Sequence, residues 1–550
     1  MATDKEITIE IKTPELLLLI PILIIFMSFE LIVTLNSPIA FGDEAFHVRK
    51  SQYIAENKDY PVWNPFIGHN DEKIGFSGAL YWHLLQAGFY LIFGFHEFIV
   101  KFITPFISTF LLGLIIFLLG KKIYNREIGF IASIIAVTIP SLVTYSVLFY
   151  VDAIFLLYLT LFLFTLILSI KSNQKKYIIL SAIFGTLSLL TKMPGFVIFP
   201  ALLFSFLYEF FIQKNFFPLL KKYSIFIFIF ILMFGPLSIR EMVYFNTPYC
   251  SLPIFDSSGC AKSSSYENQY QFSGITEQVG TEVDIFRMGL MNYLNFAYGI
   301  IWFVPLFFFC GLSIFFKRLE KSDILILLSF IAFLPVIYLS IFGRAENTAR
   351  YLLGLIPPIT LIAGNYLFAL YSFIKKYLKQ IALVIFIFVI VLSFMNLNDK
   401  LYAARHYDSG SGGYVGYKIF SPRLIEACDW VKKNLDEDIL IGDIIWGYAT
   451  AYNCQRNVGG GGPDVRLSNN LTLALSVLEN QGITHLFITK FSISWNDQKL
   501  AERYPISYLR FLEDNPKNFI KVYENGPTLQ QCQQMGGCDG VIVYEVDYNT

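Results

Sequence analysis

The sequence predicts a polytopic α-helical membrane protein carrying a compact α/β domain at its C-terminal end. Of its 550 residues 55% are hydrophobic and only 15% charged, with a mean hydropathy of +0.54; soluble domains of this size carry more charge. Apolar stretches long enough to cross a bilayer recur over the first four hundred residues and then stop. Beyond residue 397 short apolar runs alternate with amphipathic helix patterns. Lysine plus arginine and aspartate plus glutamate balance at 42 each, so nothing in the charge points to nucleic acid.

About eleven spans are expected, near 14–36, 98–120, 127–147, 150–170, 177–191, 196–212, 223–239, 292–316, 323–342, 351–373 and 380–396. The first run is long and lacks a small-residue cleavage site, so it reads as a retained anchor. The loop after it, 37–97, holds an acidic pair and an aromatic run from Gly78 to Gly94, for which helices lying in the membrane interface are expected.

Basic residues orient the bundle. Lys121, Lys122 and Arg126, then Lys171, Lys175 and Lys176, then Lys214, Lys221 and Lys222 occupy alternate short loops. Lys317, Arg318 and Lys321, and then Lys375, Lys376 and Lys379, continue the set. These loops are expected to be cytoplasmic, together with the N-terminus. The loops bearing Asp43, Asp152, Lys192, Arg240 and Arg350 then face outward, as does everything after 397. Six of the seven cysteines fall in the outward set, and proximity suggests the disulfides Cys250–Cys260 and Cys532–Cys538, leaving Cys428–Cys454; Cys310 lies in a span.

In the C-terminal part, 397–550, a helix is expected from Pro422 to Leu435 and another from Asn470 to Glu479. Strands are expected at 439–445, 483–489, 519–523 and 541–546.

Asp43-Glu44 follows the first span directly, where adjacent carboxylates are costly near an apolar phase unless they face a cavity or the interface. A carboxylate there suits general-base work on a substrate held at the membrane surface, although a first helical turn also favours acids. Asp152 opens a later span on the same side. Lys192 sits in a tight turn, Arg240 ends a span, and Arg344 and Arg350 bracket a short polar segment. Such cations either snorkel to headgroups or meet an anion, and arginine grips phosphate with a planar fork. Acids and phosphate-binding cations gathered on one leaflet suit transfer of a group from a lipid phosphate.

These residues resemble a known family. The chain is similar to membrane glycosyltransferases of the GT-C fold, in the branch of protein O-mannosyltransferases, aminoarabinose transferases and Rgt-like lipopolysaccharide sugar transferases. Asp43-Glu44 matches the acidic pair after the first span, Leu80-Tyr81-Trp82 the aromatic cluster, and Asp152 the second acid. Leu190-Thr191-Lys192-Met193-Pro194 matches a Leu-Thr-Lys-x-Pro turn. Pro236 to Arg240, followed by Asn246-Thr247-Pro248, and Arg350 to Pro358 match two further segments. The chain departs from the pattern at Lys73, which is displaced, and at Glu241, where asparagine is frequent.

The resemblance implies a polyprenyl-phosphate sugar donor, dolichyl or undecaprenyl, and inversion at the anomeric centre. It implies Asp43 as base, with Glu44 and Asp152 orienting the acceptor or a metal. Lys192, Arg240 and Arg350 would hold the donor phosphate, and His47, Tyr81, Trp82 and His83 would line the sugar pocket. A divalent cation, magnesium or manganese, is compatible with Asp43 and Asp152. The acceptor, whether glycan, lipid or protein, and the sugar stay open; a prokaryotic plasma membrane is favoured over an endoplasmic reticulum. An oligosaccharyltransferase-like enzyme is one alternative, although a first-loop Asp-x-Asp is missing. A transporter or lipid flippase is the other, and it would place charges nearer mid-membrane.

Overall fold

The computed structural model describes residues 13–35, 42–61, 79–147, 150–172, 174–246, 352–377, 422–443, 447–459, 470–490, 506–528 and 540–549, with a few isolated residues besides. The expected spans 292–316 and 323–342, most of 380–396, Arg344, Arg350 and Cys250, Cys260, Cys310, Cys532 and Cys538 lie outside the described residues.

The membrane part begins with α1 (Thr13–Leu35), α2 (Gly42–Asn57) and α3 (Leu80–Phe93), followed by α4 (Glu97–Ile123) with a π-helical stretch at Ile103–Phe110. Next come α5 (Arg126–Val137), α6 (Pro140–Val147), α7 (Asp152–Ser172) and α8 (Lys175–Thr191). A 3-10 turn, Met193–Val197, leads into α9 (Ile198–Gln213), then α10 (Phe216–Phe245) and α11 (Ile356–Tyr377). Among the described residues five helices are long and apolar enough to cross a membrane, and the run from Leu16 to Ile32 in α1 is apolar but shorter.

One expected span is corrected. The stretch 127–147 is two helices, because Pro140 has no N–H and disfavours helical backbone at the residue before it. The Thr138 hydroxyl donates to the Ile134 carbonyl at 2.9 Å as α5 ends.

Helix α7 is the hub, buried over most of its length and packed against α8 and α4. Close approach of α4 to α5 depends on Gly120 and Gly129: a Cβ on Gly129 would lie 2.4 Å from the Phe117 carbonyl oxygen. Polar ties cross the bundle too. Ser146 donates to Glu30 of α1 at 2.8 Å, and Lys222 reaches both Glu209 oxygens at 2.9 Å and the Ser169 carbonyl at 3.0 Å. Lys222 is therefore an internal ion-pair residue as well as a loop cation.

Among the described residues, members of the two loop sets lie at opposite ends of the bundle. Lys171 Nζ meets the Lys122 carbonyl at 3.4 Å at one end. At the other, the Ala79 N–H donates to the Thr191 carbonyl at 2.9 Å and Arg240 donates to the Tyr60 carbonyl at 2.7 Å.

The C-terminal part contains α12 (Pro422–Asn434), β1 (Leu440–Asp443), α13 (Gly447–Cys454), β2 (Asn457–Gly459), α14 (Leu471–Asn480), β3 (Ile483–Thr489), α15 (Ile506–Asp514), β4 (Phe519–Glu524) and β5 (Val541–Val546). Its mixed sheet runs β2-β1-β3-β5-β4; β1 is parallel to both neighbours, and β5 is antiparallel to β3 and β4. Alternation along the strands feeds two cores. Leu486, Ile488, Ile542 and Tyr544 pack with α14 and α15, whereas Phe487, Val541 and Val543 pack with α12. The expected strands and helices all form; α13, β2 and α15 are additions.

Cys428 and Cys454 form a disulfide, as expected, joining α12 to α13. Helix α13 in turn packs on α2. Tyr452 donates to Glu97 at 2.7 Å, Asn453 to the Ile39 carbonyl at 3.1 Å, and Arg49 to Gln455 at 3.2 Å. The sheet region thereby braces the helix that begins with the acidic pair.

Candidate functional site

Helix α2 is polar in sequence yet buries Glu44, His47, Lys50 and Ser51. Their spacing of three and four residues puts them on one helical face. That face meets α3, which presents Trp82, His83, Gln86 and Tyr90 as buried residues. The Ser51 hydroxyl lies 2.7 Å from both Gln86 Oε1 and the His47 carbonyl.

His47 Nδ1 and His83 Nε2 are 2.8 Å apart, so one ring donates to the other. Burial first, then the charges of Lys50 and His47, hold the His83 pKa well below the ordinary imidazole value, which keeps that ring neutral. Tyr60 Oη lies 3.5 Å from His83 Nδ1, and burial raises the Tyr60 pKa.

Two cations stand over the Tyr60 ring. Lys50 Nζ is 4.5 Å from its centroid and Arg240 Cζ is 5.2 Å away, with the second ring of Arg240, Tyr244, at 5.3 Å. Lys50 is only 1% exposed, and burial, then the Arg240 charge, lowers its pKa well below that of an ordinary lysine. The buried Glu241 is the acid on α10 next to Arg240 in sequence. A pair of like charges brought together out of water favours an anion between or beside them.

A second cluster adjoins the first. Asp152, at 0% exposure the first residue of α7, pairs with Lys192, which is 8% exposed at the end of α8. The Ala79–Thr191 backbone bond ties α3 to this turn, and His83 lies one helical turn, about 6 Å along the axis, beyond Ala79. Ala79 itself adopts φ +64°, a left-handed conformation uncommon for a residue with a Cβ.

The structure thus gathers His47 with His83, and Asp152 with Lys192, and places Arg240 beside Tyr60. It seats Trp82 within the apolar core, and the indole N–H has no acceptor among the described residues. Tyr81 is half-buried against the same core. Asp43 lies in the first turn of α2, but its side chain, like all of Arg350, is outside the described residues. Sequence reasoning missed Lys50 and Tyr60. The helical spacing of Glu44, His47 and Lys50 was a usable signal for the first; nothing local marked the second.

Among the described residues no divalent-metal site is assembled, and Asp43, the other candidate ligand, has its side chain outside them. The Lys192 ammonium already occupies Asp152, the imidazoles of His47 and His83 engage each other, and no three His, Cys, Asp or Glu among the described residues converge.

A family model described as dolichyl-phosphate-mannose-protein mannosyltransferase matches residues 78–239, under a third of the chain. No curated protein matches by sequence. Among solved structures, the Archaeoglobus fulgidus oligosaccharyltransferase in complex with Zn and sulfate superposes with TM-score 0.62 at 15% identity, covering 96% of this chain and 74% of that one. ArnT from Cupriavidus metallidurans bound to undecaprenyl phosphate gives 0.59 at 12% identity, covering 98% and 99%. The arabinofuranosyltransferase AftD from Mycobacteria gives 0.53 at 12% identity, covering 96% and 40%. The chain has the GT-C glycosyltransferase fold, and its residues 78–239 resemble the dolichyl-phosphate-mannose-protein mannosyltransferases.

Proposed function

We propose that the chain is an inverting glycosyltransferase that moves a sugar from a polyprenyl-phosphate donor to an acceptor at the membrane face bearing the sheet. The observation that carries this reading is the placement of Lys50 and Arg240 over the Tyr60 ring, on and beside the helix that begins with the acidic pair. Asp43 and Lys50 are seven residues apart, nearly two turns, so they share a face of α2 about 10 Å apart along its axis. That separation suits a base at the acceptor and a cation at the leaving phosphate, with the transferred sugar between them.

In this reaction the acceptor oxygen bonds to the anomeric carbon as the bond from that carbon to the phosphate oxygen breaks. Asp43 takes the acceptor proton. The polyprenyl phosphate leaves as an anion, held by Arg240 and Lys50, with Arg350 as a further donor to phosphate. Lys192 has a different part from the one first expected: paired with Asp152 it forms a neutral unit that orients the site beside Thr191. Glu44, His47, His83 and Tyr81 supply polar groups around the sugar.

In the same reading residues 1–396 form the catalytic membrane domain and 397–550 an extracytoplasmic domain. The N-terminus is cytoplasmic and the location a prokaryotic plasma membrane. Similarity to the oligosaccharyltransferase supports a second reading, in which an oligosaccharide rather than one sugar is moved.

Purified protein in nanodiscs, given a panel of polyprenyl-phosphate donors bearing one sugar or several, tests both by sugar release. Asp43→Asn should abolish release, and Arg240→Ala with Lys50→Met should weaken donor binding. Full activity of Asp43→Asn removes the base assignment, and undiminished donor binding in the double variant removes the phosphate clamp.

A further inference from the structure

At the opposite end of the bundle lies a groove with its own chemistry. Its α1 wall is Leu18, seventeen residues before the helix ends at Leu35, so it sits about 25 Å along the axis from the end that leads to α2. Its floor is set by glycine. The contact of Gly129 with Phe117 draws α5 against α4, and Gly364, whose Cβ would lie 3.3 Å from Ala132 N, draws α11 against α5. The resulting cavity of about 260 Å³ is walled by Leu18, Phe117, Phe130, Phe368 and Tyr371, with Arg126 at its mouth.

That volume equals roughly nine waters at about 30 Å³ each, yet apolar walls offer a water almost none of the two to four partners it needs. A hydrocarbon chain meets no such penalty. The rim, by contrast, is cationic. Lys121 Nζ stands 6.0 Å from the Phe117 ring, and Lys375 Nζ stands 5.5 Å from the Tyr371 ring, so two wall rings each carry an ammonium. Glu127 of the lining pairs with Arg126 at 2.7 Å, so among the described residues of the rim three basic groups, Lys121, Arg126 and Lys375, stand with one acid. Apolar walls below a basic rim at the end of a membrane helix match a lipid with one chain inserted and an anionic headgroup above.

We propose that this groove binds one anionic phospholipid of the leaflet opposite the sheet, its acyl chain against Phe117, Phe130 and Phe368 and its phosphate at Lys121, Arg126 and Lys375. A zwitterionic lipid offers the same chain, but its own cation offsets the attraction of the rim.

The test uses the full chain in nanodiscs holding phosphatidylglycerol or phosphatidylcholine, each with a diazirine midway along one acyl chain, and maps the photolabelled peptides by mass spectrometry. Phosphatidylglycerol should label the peptides around Phe117–Ile131 and Phe368–Tyr371 at least about fivefold more than phosphatidylcholine does, the ratio that a single one of the three basic residues would give. K121Q/R126Q/K375Q should erase that preference. L18W should block labelling by both lipids; since Leu18 is 59% exposed, a tryptophan there fills the groove from its edge without entering the folded core. Equal labelling by both lipids in the unaltered protein, or labelling undiminished in L18W, overturns the proposal.

Discussion

Replacing Lys192 by methionine tests how tightly the two halves of the site depend on each other. Asp152 is wholly buried and Lys192 nearly so, so the substitution takes an ammonium away from a carboxylate held out of water. Breaking a buried pair from one side costs about 3–5 kcal/mol, whereas replacing both partners by groups of similar volume is often close to neutral. At 1.36 kcal/mol per factor of ten, K192M should lower the folded-to-unfolded ratio by roughly two to three and a half orders of magnitude. D152N/K192M should recover most of that loss. Unfolding titrations in mixed dodecyl maltoside and SDS micelles, run on the two single variants and the double, give the coupling directly. The same double variant should remain poorly active, because a neutral pair without charges no longer orients the turn beside Thr191. A loss below about 1 kcal/mol in K192M, or a double variant no more stable than K192M, refutes the claim that the pair is an internal structural unit.

Other expectations follow from the same geometry. His83 is held neutral, so the unfolded chain binds more protons there once pH falls below its ordinary value near 6.5; stability should decline from that point downward, and H83Q should flatten the decline in a pH series of melting curves. Y452F removes the hydroxyl that donates to Glu97 and should cost about 1.5–3 kcal/mol, the range for a bond to a charged group, read in the same unfolding titration. G129A drives a Cβ to within 2.4 Å of a backbone carbonyl, and should cost about 1–3 kcal/mol by forcing α4 and α5 apart. Burial lowers the Lys50 pKa, so donor binding should weaken as pH rises and the ammonium loses its proton; binding isotherms in a pH series measure this, and K50M should flatten the dependence.

Much of the architecture was legible before any coordinate. Long apolar runs with few charges mark candidate bilayer crossings, and basic loops sort the ends of those runs into two sets whose described members the folded chain keeps apart. Period-two and helical patterns located the principal strands and helices after residue 421, since burial on alternate faces is written into residue order. Acidic and basic residues at span ends were recognisable as site material for a related reason: charge at such a boundary is too costly to be placed without a partner.

What residue order left undecided was partnership. Nothing near Asp152 says that Lys192, forty residues away, neutralises it, and nothing near Tyr60 says that Lys50 and Arg240 meet over its ring. Nor does local pattern reveal that α13, tied by Cys454 to Cys428, presses on α2. Those contacts bridge long stretches of chain, and each exists only once helices have packed to a spacing set by side chains from several of them. Composition and periodicity report each segment's preferred solvent; which two charges share one dry space is a property of the assembled bundle alone.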